Sequence, residues 1–394
     1  MKKQSVAILI LFLMVLAQLA TDLYLPSFPA ISSALNVNLS SVQLTFSVFL
    51  AGFAISQLIY GPLCDRYGRK PFLIIGVILY FLMAILSAFS TSITLLLISR
   101  AIQGIGAGAC SVIPRAIMRD CFSGRELEKI TIYQSIVWSF VPISAPLLGS
   151  YVQHYLGWEY NFILLAIISL LALIMCLFFR ESIAEKENRL HVSYAVKQYL
   201  SIIKNRKFYS PLLCAVCIIS FLTAFNVSAP IIIQKTIGLS TIQYGWSVFI
   251  VAIAFMVASI INRFLSSWIE TKKIVISGFI LISISVLLMF VSLLFSHLTI
   301  YLFLVPIVLI QMGSAFIFPS NAAKAMQIFP DKAGKAAAIF GSSIFLGGTI
   351  VSFIMSILPE YNLLSLAVVY SIMLFAMAIF YRMQFLIQPT GEKL

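Results

Sequence analysis

Charge is what this 394-residue chain has least of: Asp, Glu, Lys and Arg together make up 10% of it, where a soluble domain carries about 25%. With 61% of its residues apolar, a water-soluble globular fold is excluded. Histidine is nearly missing as well. His154, His191 and His297 all fall outside the interiors of the apolar runs, and no metal-spaced cluster or phosphate-cradling glycine loop is visible. Without paired intramembrane carboxylates either, a membrane-embedded enzyme is disfavoured. No catalytic residue, metal or organic cofactor is expected. The six cysteines show no framework; Cys214 and Cys217 share one apolar run and read as small packing residues.

Apolar sequence is what the chain has in quantity. Stretches of about 20 residues, enough to cross roughly 30 Å of hydrocarbon, occur at 6–34, 41–63, 72–90, 93–118, 130–153, 160–180, 210–236, 243–267, 274–296, 299–323, 335–358 and 361–384. Twelve spans predict an all-α polytopic membrane protein. The pI of 9.5 suggests nucleic acid at first sight. Yet threading the spans with both termini on one side puts 24 of 26 Lys and Arg residues on that side, leaving Arg100 and Lys235. Such a split is the positive-inside rule, so both termini are expected in the cytoplasm and no nucleic acid partner is expected. Lys2 and Lys3 before an apolar run imitate a signal peptide, but the run is too long and no small-residue cleavage site follows.

Of the 13 acidic residues, Asp22 alone lies within a span. An ionised carboxylate in hydrocarbon costs several kcal/mol, so it normally faces a polar cavity and has a function. Pro26 has no N–H to give the carbonyl of residue 22. An acid and a freed carbonyl at one level of one helix suit a proton or substrate site. Arg100 begins roughly 9 Å into the fourth span, a depth comparable to that of Asp22, and is its natural partner. Snorkelling of Arg100 to the outer headgroups is the alternative. Gln18 lies one turn before Asp22 on the same face. With Tyr24, Gln103, Gln134, Asn226 and Gln311 it makes the candidate substrate cavity, each polar residue having an interhelical packing role as its alternative.

The long polar stretch, 181–209, divides the spans six and six, into halves 1–180 and 210–394. Val192, Val196, Tyr199, Leu200 and Ile203 fall at helical spacing within it, as an amphipathic helix on the inner membrane surface would have them; a partly disordered linker is the alternative. The halves resemble each other. Asp22-x-x-x-Pro26 recurs as Asn226-x-x-x-Pro230 at an offset of 204, and Gly108 and Pro114 recur as Gly313 and Pro319 at 205. A constant offset of half the chain indicates duplication, and parallel repeats around a central site are an alternating-access architecture.

Three motifs carry a family resemblance. Gly61-Pro62-Leu63-Cys64-Asp65-Arg66-Tyr67-Gly68-Arg69-Lys70 joins spans 2 and 3. Gly61 suits close helix approach, Gly68 a tight backbone, and Asp65 a contact with the positive N-terminal end of a neighbouring helix, the eleventh span being a candidate. This stretch resembles the signature loop of the major facilitator superfamily. Arg100-Ala101-Ile102-Gln103-Gly104-Ile105-Gly106-Ala107-Gly108 resembles the fourth-helix signature of its proton-coupled members, which ties Arg100 to proton transfer. Pro142 and Ala145-Pro146-Leu147-Leu148-Gly149-Ser150 resemble the antiporter motif Gly-Pro-x-x-Gly-Gly, with Ala145 and Ser150 in place of glycines.

Residues Asp22–Ile31, the run Pro114-Arg115-Ala116-Ile117-Met118-Arg119-Asp120, and Trp158 with Phe162 are similar to the Bcr/CflA drug-resistance branch. Glu159 stands where that branch usually has Arg. Met14 occupies the place of a second acid found in a related multidrug type. The resemblance implies a multi-pass transporter of the bacterial inner membrane, in two six-helix halves, functional as a monomer. It implies export of small lipophilic compounds in exchange for protons, through Asp22 and Arg100. The alternative is an endogenous metabolite or siderophore, since Arg100 and Arg115 beside one acid suit an anion.

Overall fold

Hydrocarbon offers the backbone no hydrogen-bond partners, so each apolar run must close its own bonds as a helix. The computed structural model describes residues 3–183, 192–329, 332–359 and 363–387. Its helices are α1 (Lys3–Asp22), α2 (Phe28–Ala34), α3 (Leu39–Tyr67), α4 (Arg69–Ala88), α5 (Ile93–Cys121), α6 (Gly124–Tyr155), α7 (Glu159–Phe178) and α8 (Val192–Ile203). They continue as α9 (Arg206–Ile231), α10 (Thr241–Leu265), α11 (Thr271–Ser292), α12 (Ile300–Gln327), α13 (Ala333–Ile357) and α14 (Leu363–Ile387). Among the described residues twelve segments are long and apolar enough to cross a membrane, the first being Lys3–Ala34 with its break counted in. Large apolar side chains such as Phe178, Phe264, Leu287 and Phe375 stay exposed along these helices, as a lipid-covered surface requires.

The first span departs from a single helix. α1 stops at Asp22, a 3-10 turn covers Leu25–Ser27, and α2 resumes at Phe28. The expected helix of the central stretch is present as α8. It buries Ile202 while Leu200 and Ile203 stay exposed. His191 and the acidic part of that stretch, 184–191, lie outside the described residues, as do Lys2, Lys393 and the start of the run at 361–384.

The helices form two compact units, residues 1–195 with 240–246, and 196–239 with 247–394. Missing Cβ atoms set the close approaches in each. In the first unit Gly104 abuts the Phe49 carbonyl of α3, and a Cβ at Gly106 would lie 2.6 Å from the Gly76 carbonyl of α4. In the second, a Cβ at Gly313 of α12 would lie 2.6 Å from the Gly278 carbonyl of α11. By contact, therefore, Gly313 corresponds to Gly106, whereas Gly108 abuts Ser56 of α3. The constant sequence offset pairs the wrong glycine because it tracks the prolines and not the packing face.

Candidate functional site

At the junction of α3 and α4 one residue, Gly68, both ends one helix and starts the next, at φ 108°. Any side chain there is strained. This tight turn folds Arg69 back onto carboxylates: its Nη1 lies 2.5 Å from Asp65 Oδ1 and its Nε 3.0 Å from Asp120 Oδ2 of α5. Asp65 thus takes Arg69 as a partner. The carboxylate seated on a helix N-terminus is a different one, Glu181 just after α7. It accepts the amides of Arg69 and Lys70 at 2.9 and 3.1 Å. Burial alone would raise the Glu181 pKa, but these amides, with those of Ile183 and Ser182, hold it below its ordinary value. Gly61 is half-buried, and Arg66 lies over the Tyr67 ring at 4.8 Å.

The second concentration of polar groups surrounds the break in the first span. Asp22, 6% exposed, is the last residue of α1. Leu23 still donates to the Leu19 carbonyl at 3.0 Å, and Ser27 closes the 3-10 turn on the Tyr24 carbonyl at 2.9 Å. Two features explain a break here. Pro26 carries no amide hydrogen. Gly149 of α6 presses so closely on the Leu23 carbonyl that a Cβ would overlap it. The antiporter-like motif of α6 therefore packs against the break. Pro146, Gly149 and both glycine substitutes, Ala145 and Ser150, are buried, while Pro142 is half-buried.

Arg100, the largest side chain buried to this degree, is 0% exposed, which removes the snorkelling alternative. Its guanidinium donates from Nη1 to Gln103 Oε1 at 2.5 Å and from Nη2 to the Ala20 carbonyl of α1 at 2.9 Å. Aromatic rings enclose it, with Tyr24 and Phe49 centred 4.2 Å away and Phe162 at 5.7 Å. The expected pairing of Arg100 with Asp22 is thus not the contact found. Burying a guanidinium costs several kcal/mol. Two hydrogen bonds from a charged group, at about 1.5–3 kcal/mol each, and ring contacts of about 2 kcal/mol are of the same size. The Ala20 carbonyl lies in the last turn of α1, where the helix dipole favours a cation.

Tyr24 and Gln103, expected to line a cavity, are fully buried. Tyr24 bonds Thr45 at 3.1 Å, and Gln103 accepts from Arg100 through Oε1 while its Nε2 has no partner. Gln18 on α1 and Gln134 on α6 are half-buried, and in the second unit Asn226 on α9 and Gln311 on α12 are buried. Three residues of this site escaped sequence reasoning. Asn161 of α7 donates to Ser27 Oγ at 2.9 Å, Phe49 supplies a wall of the Arg100 seat, and Tyr80 donates to the Leu16 carbonyl at 3.1 Å. An amide inside an otherwise apolar run was the available signal for Asn161. Among the described residues no group of His, Cys, Asp and Glu is placed to hold a metal ion.

The chain's relatives agree with this architecture. A profile of the Major Facilitator Superfamily matches residues 10–352 and again 211–392. An uncharacterized MFS-type transporter, YdgK of Bacillus subtilis, is 35% identical over 61% of this chain and 60% of its own length. A bicyclomycin resistance protein homolog of Haemophilus influenzae is 30% identical, over 66% of this chain and 67% of that one. The multidrug resistance protein MdtL of a Shewanella species is 28% identical over 65% and 64%. A crystal structure of a D-xylose–proton symporter superimposes with a TM-score of 0.75 over 99% of both chains at 16% identity, a likeness of fold. With twelve apolar helices among the described residues and these relatives, the chain belongs to the major facilitator superfamily, as a multi-pass protein of the bacterial inner membrane similar to the bicyclomycin- and multidrug-resistance proteins.

Proposed function

We propose that the protein exports small lipophilic compounds in exchange for protons by alternating access, with both termini in the cytoplasm. Asp22 is the proton site and Arg100 its switchable partner. The observation that carries this reading is the seat of Arg100: a buried cation held by neutral acceptors and rings, two residues along α1 from a buried acid. A protonated Asp22 makes no demand on Arg100, which then rests among Tyr24, Phe49 and Phe162. An ionised Asp22 attracts it, and leaving the seat frees Gln103 and the end of α1. Proton binding at Asp22 and the conformation of α1 are thereby linked. The names of the relatives support the drug side of the reading.

One observation favours a second cargo, an anionic metabolite. Arg115 of α5 is half-buried and spends its Nε and Nη2 on Ser111 of its own helix, at 2.9 and 3.0 Å, with no carboxylate. The test is proton release from purified protein at weak buffering as a panel of lipophilic drugs and polyacids is added, with Asp22→Asn beside it. Release on adding a drug, lost in the variant, is expected. Release by the variant would sink the proton site, and a response to polyacids alone would replace the cargo.

A further inference from the structure

Asn161 belongs to no motif that the transport reading uses, yet it joins the two strands of chain that frame Asp22. Its Nδ2 donates to Ser27 Oγ at 2.9 Å and to the Gly149 carbonyl at 3.3 Å. Ser27 closes the turn that follows Asp22, and Gly149 presses on Leu23, which follows it directly. One amide on α7 thus ties α6 to the turn of the broken helix. Asn161, Ser27 and Gly149 are all buried, and the Asn161 Oδ1 has no partner. A buried carbonyl left unpaired is costly, so an all-apolar residue would serve plain packing better at this position.

We propose that Asn161 is a positioning residue for proton coupling. By holding the 25–27 turn against α6 it keeps the carboxyl of Asp22 in its dry setting. The inference rests on the reading of Asp22 as the proton site. Tyr24 on the same turn and Tyr244 of α10, which lies in the first unit, interact electrostatically with Asp22. Arg100 approaches from α5 and Tyr80 from α4, while Ala145 and Gly149 of α6 and Phe162 of α7 bring no charge. Tyrosine and arginine do not ordinarily titrate between about pH 4 and 9, so a group titrating there at this site is Asp22. Releasing the turn admits water to Asp22, and water favours the ionised form.

The experiment follows the infrared band of the protonated carboxyl in purified, lipid-reconstituted protein as pH is varied, and identifies Asp22 by the band that Asp22→Asn removes. Asn161→Leu is expected to lower the midpoint by about one pH unit, a common size for an environmental shift. Ser27→Ala, which spares the bond to Gly149, should lower it by less, and Ser27→Thr should restore the wild-type midpoint. If Asn161→Leu and Ser27→Ala lower thermal stability while the midpoint stays, Asn161 is a packing residue and the proposal is overturned. If Asn161→Leu does not fold, Ser27→Ala decides by the same criterion. If Asp22→Asn removes no titrating band, both this proposal and the transport reading of Asp22 fall together.

Discussion

The first and seventh spans share the spacing of a polar residue four before a proline, but they treat it differently. α1 stops at Asp22, with a 3-10 turn over Leu25–Ser27, whereas α9 runs on through Pro230 to Ile231 and then widens into a π turn over Ile232–Thr236. Each helix has a backbone carbonyl pinned by a buried tyrosine, Leu16 by Tyr80 and Phe221 by Tyr370. The charge is not shared. Among the described residues the buried charged side chains are Asp22, Arg69 and Arg100, all in the first unit. The second unit builds its buried network from neutral groups, Gln384 donating to Asn321 at 2.7 Å with Lys324 at its edge. Irregular backbone thus occurs in both halves, and the buried charged side chains in one.

The strongest way to break this asymmetry is Gly149→Ala. Its Cβ meets the Leu23 carbonyl, so overpacking of about 1–3 kcal/mol or more falls on the break itself. Thermal stability and transport are both expected to drop, the latter to background. Next comes Arg100→Lys, which keeps the charge but loses the planar fork and part of the ring contact. A loss of about 1.5–3 kcal/mol, one charged hydrogen bond, is expected in thermal unfolding. Asn226→Ala in the other half should cost only about 0.6 kcal/mol, an average interhelical hydrogen bond in a membrane. Equal losses would remove the distinction between the halves. Tyr24→Phe sharpens it further. The ring over Arg100 remains and the Thr45 bond is lost, so transport should fall by no more than about threefold, equivalent to about 0.6 kcal/mol.

The smallest effect lies at the turn between α3 and α4. The folded-state pKa of Glu181 is depressed, so its contribution is present above the ordinary carboxylate value and is lost as pH falls through the folded one. Melting of Glu181→Gln against wild type should therefore differ at neutral pH and converge in acid. A gap that persists in acid would show that the carboxylate charge is not what the turn uses.

Much of this was legible from residue type and spacing alone. Pro26 marks the freed carbonyl of residue 22, though not the break in the first span, and Gly68 the tight turn between the second and third spans. The partner of Arg100 was not legible. Sequence ranks partners by sign of charge, and here the competitors are a carbonyl in the last turn of a helix and aromatic rings from α3 and α7. Nor was Glu181, because the amides it caps lie 111 and 112 residues away in the chain. Tyr24 and Gln103 were read as cavity residues since polarity in a span suggests water. The structure gives Tyr24 a bond to Thr45 and the Gln103 Oε1 a bond from Arg100, while the Gln103 Nε2 is buried without a partner.

The most direct test uses reconstituted vesicles with an imposed pH gradient and the lipophilic compound that gives the largest proton release. Wild type, Asp22→Asn and the exchange Asp22→Asn with Asn226→Asp are compared. If coupling resides in the first unit, the gradient drives accumulation by wild type alone, and the exchange, which transfers the acid to the second unit, restores nothing. Gradient-driven transport by Asp22→Asn at the wild-type rate, or its return in the exchanged protein, would contradict the assignment.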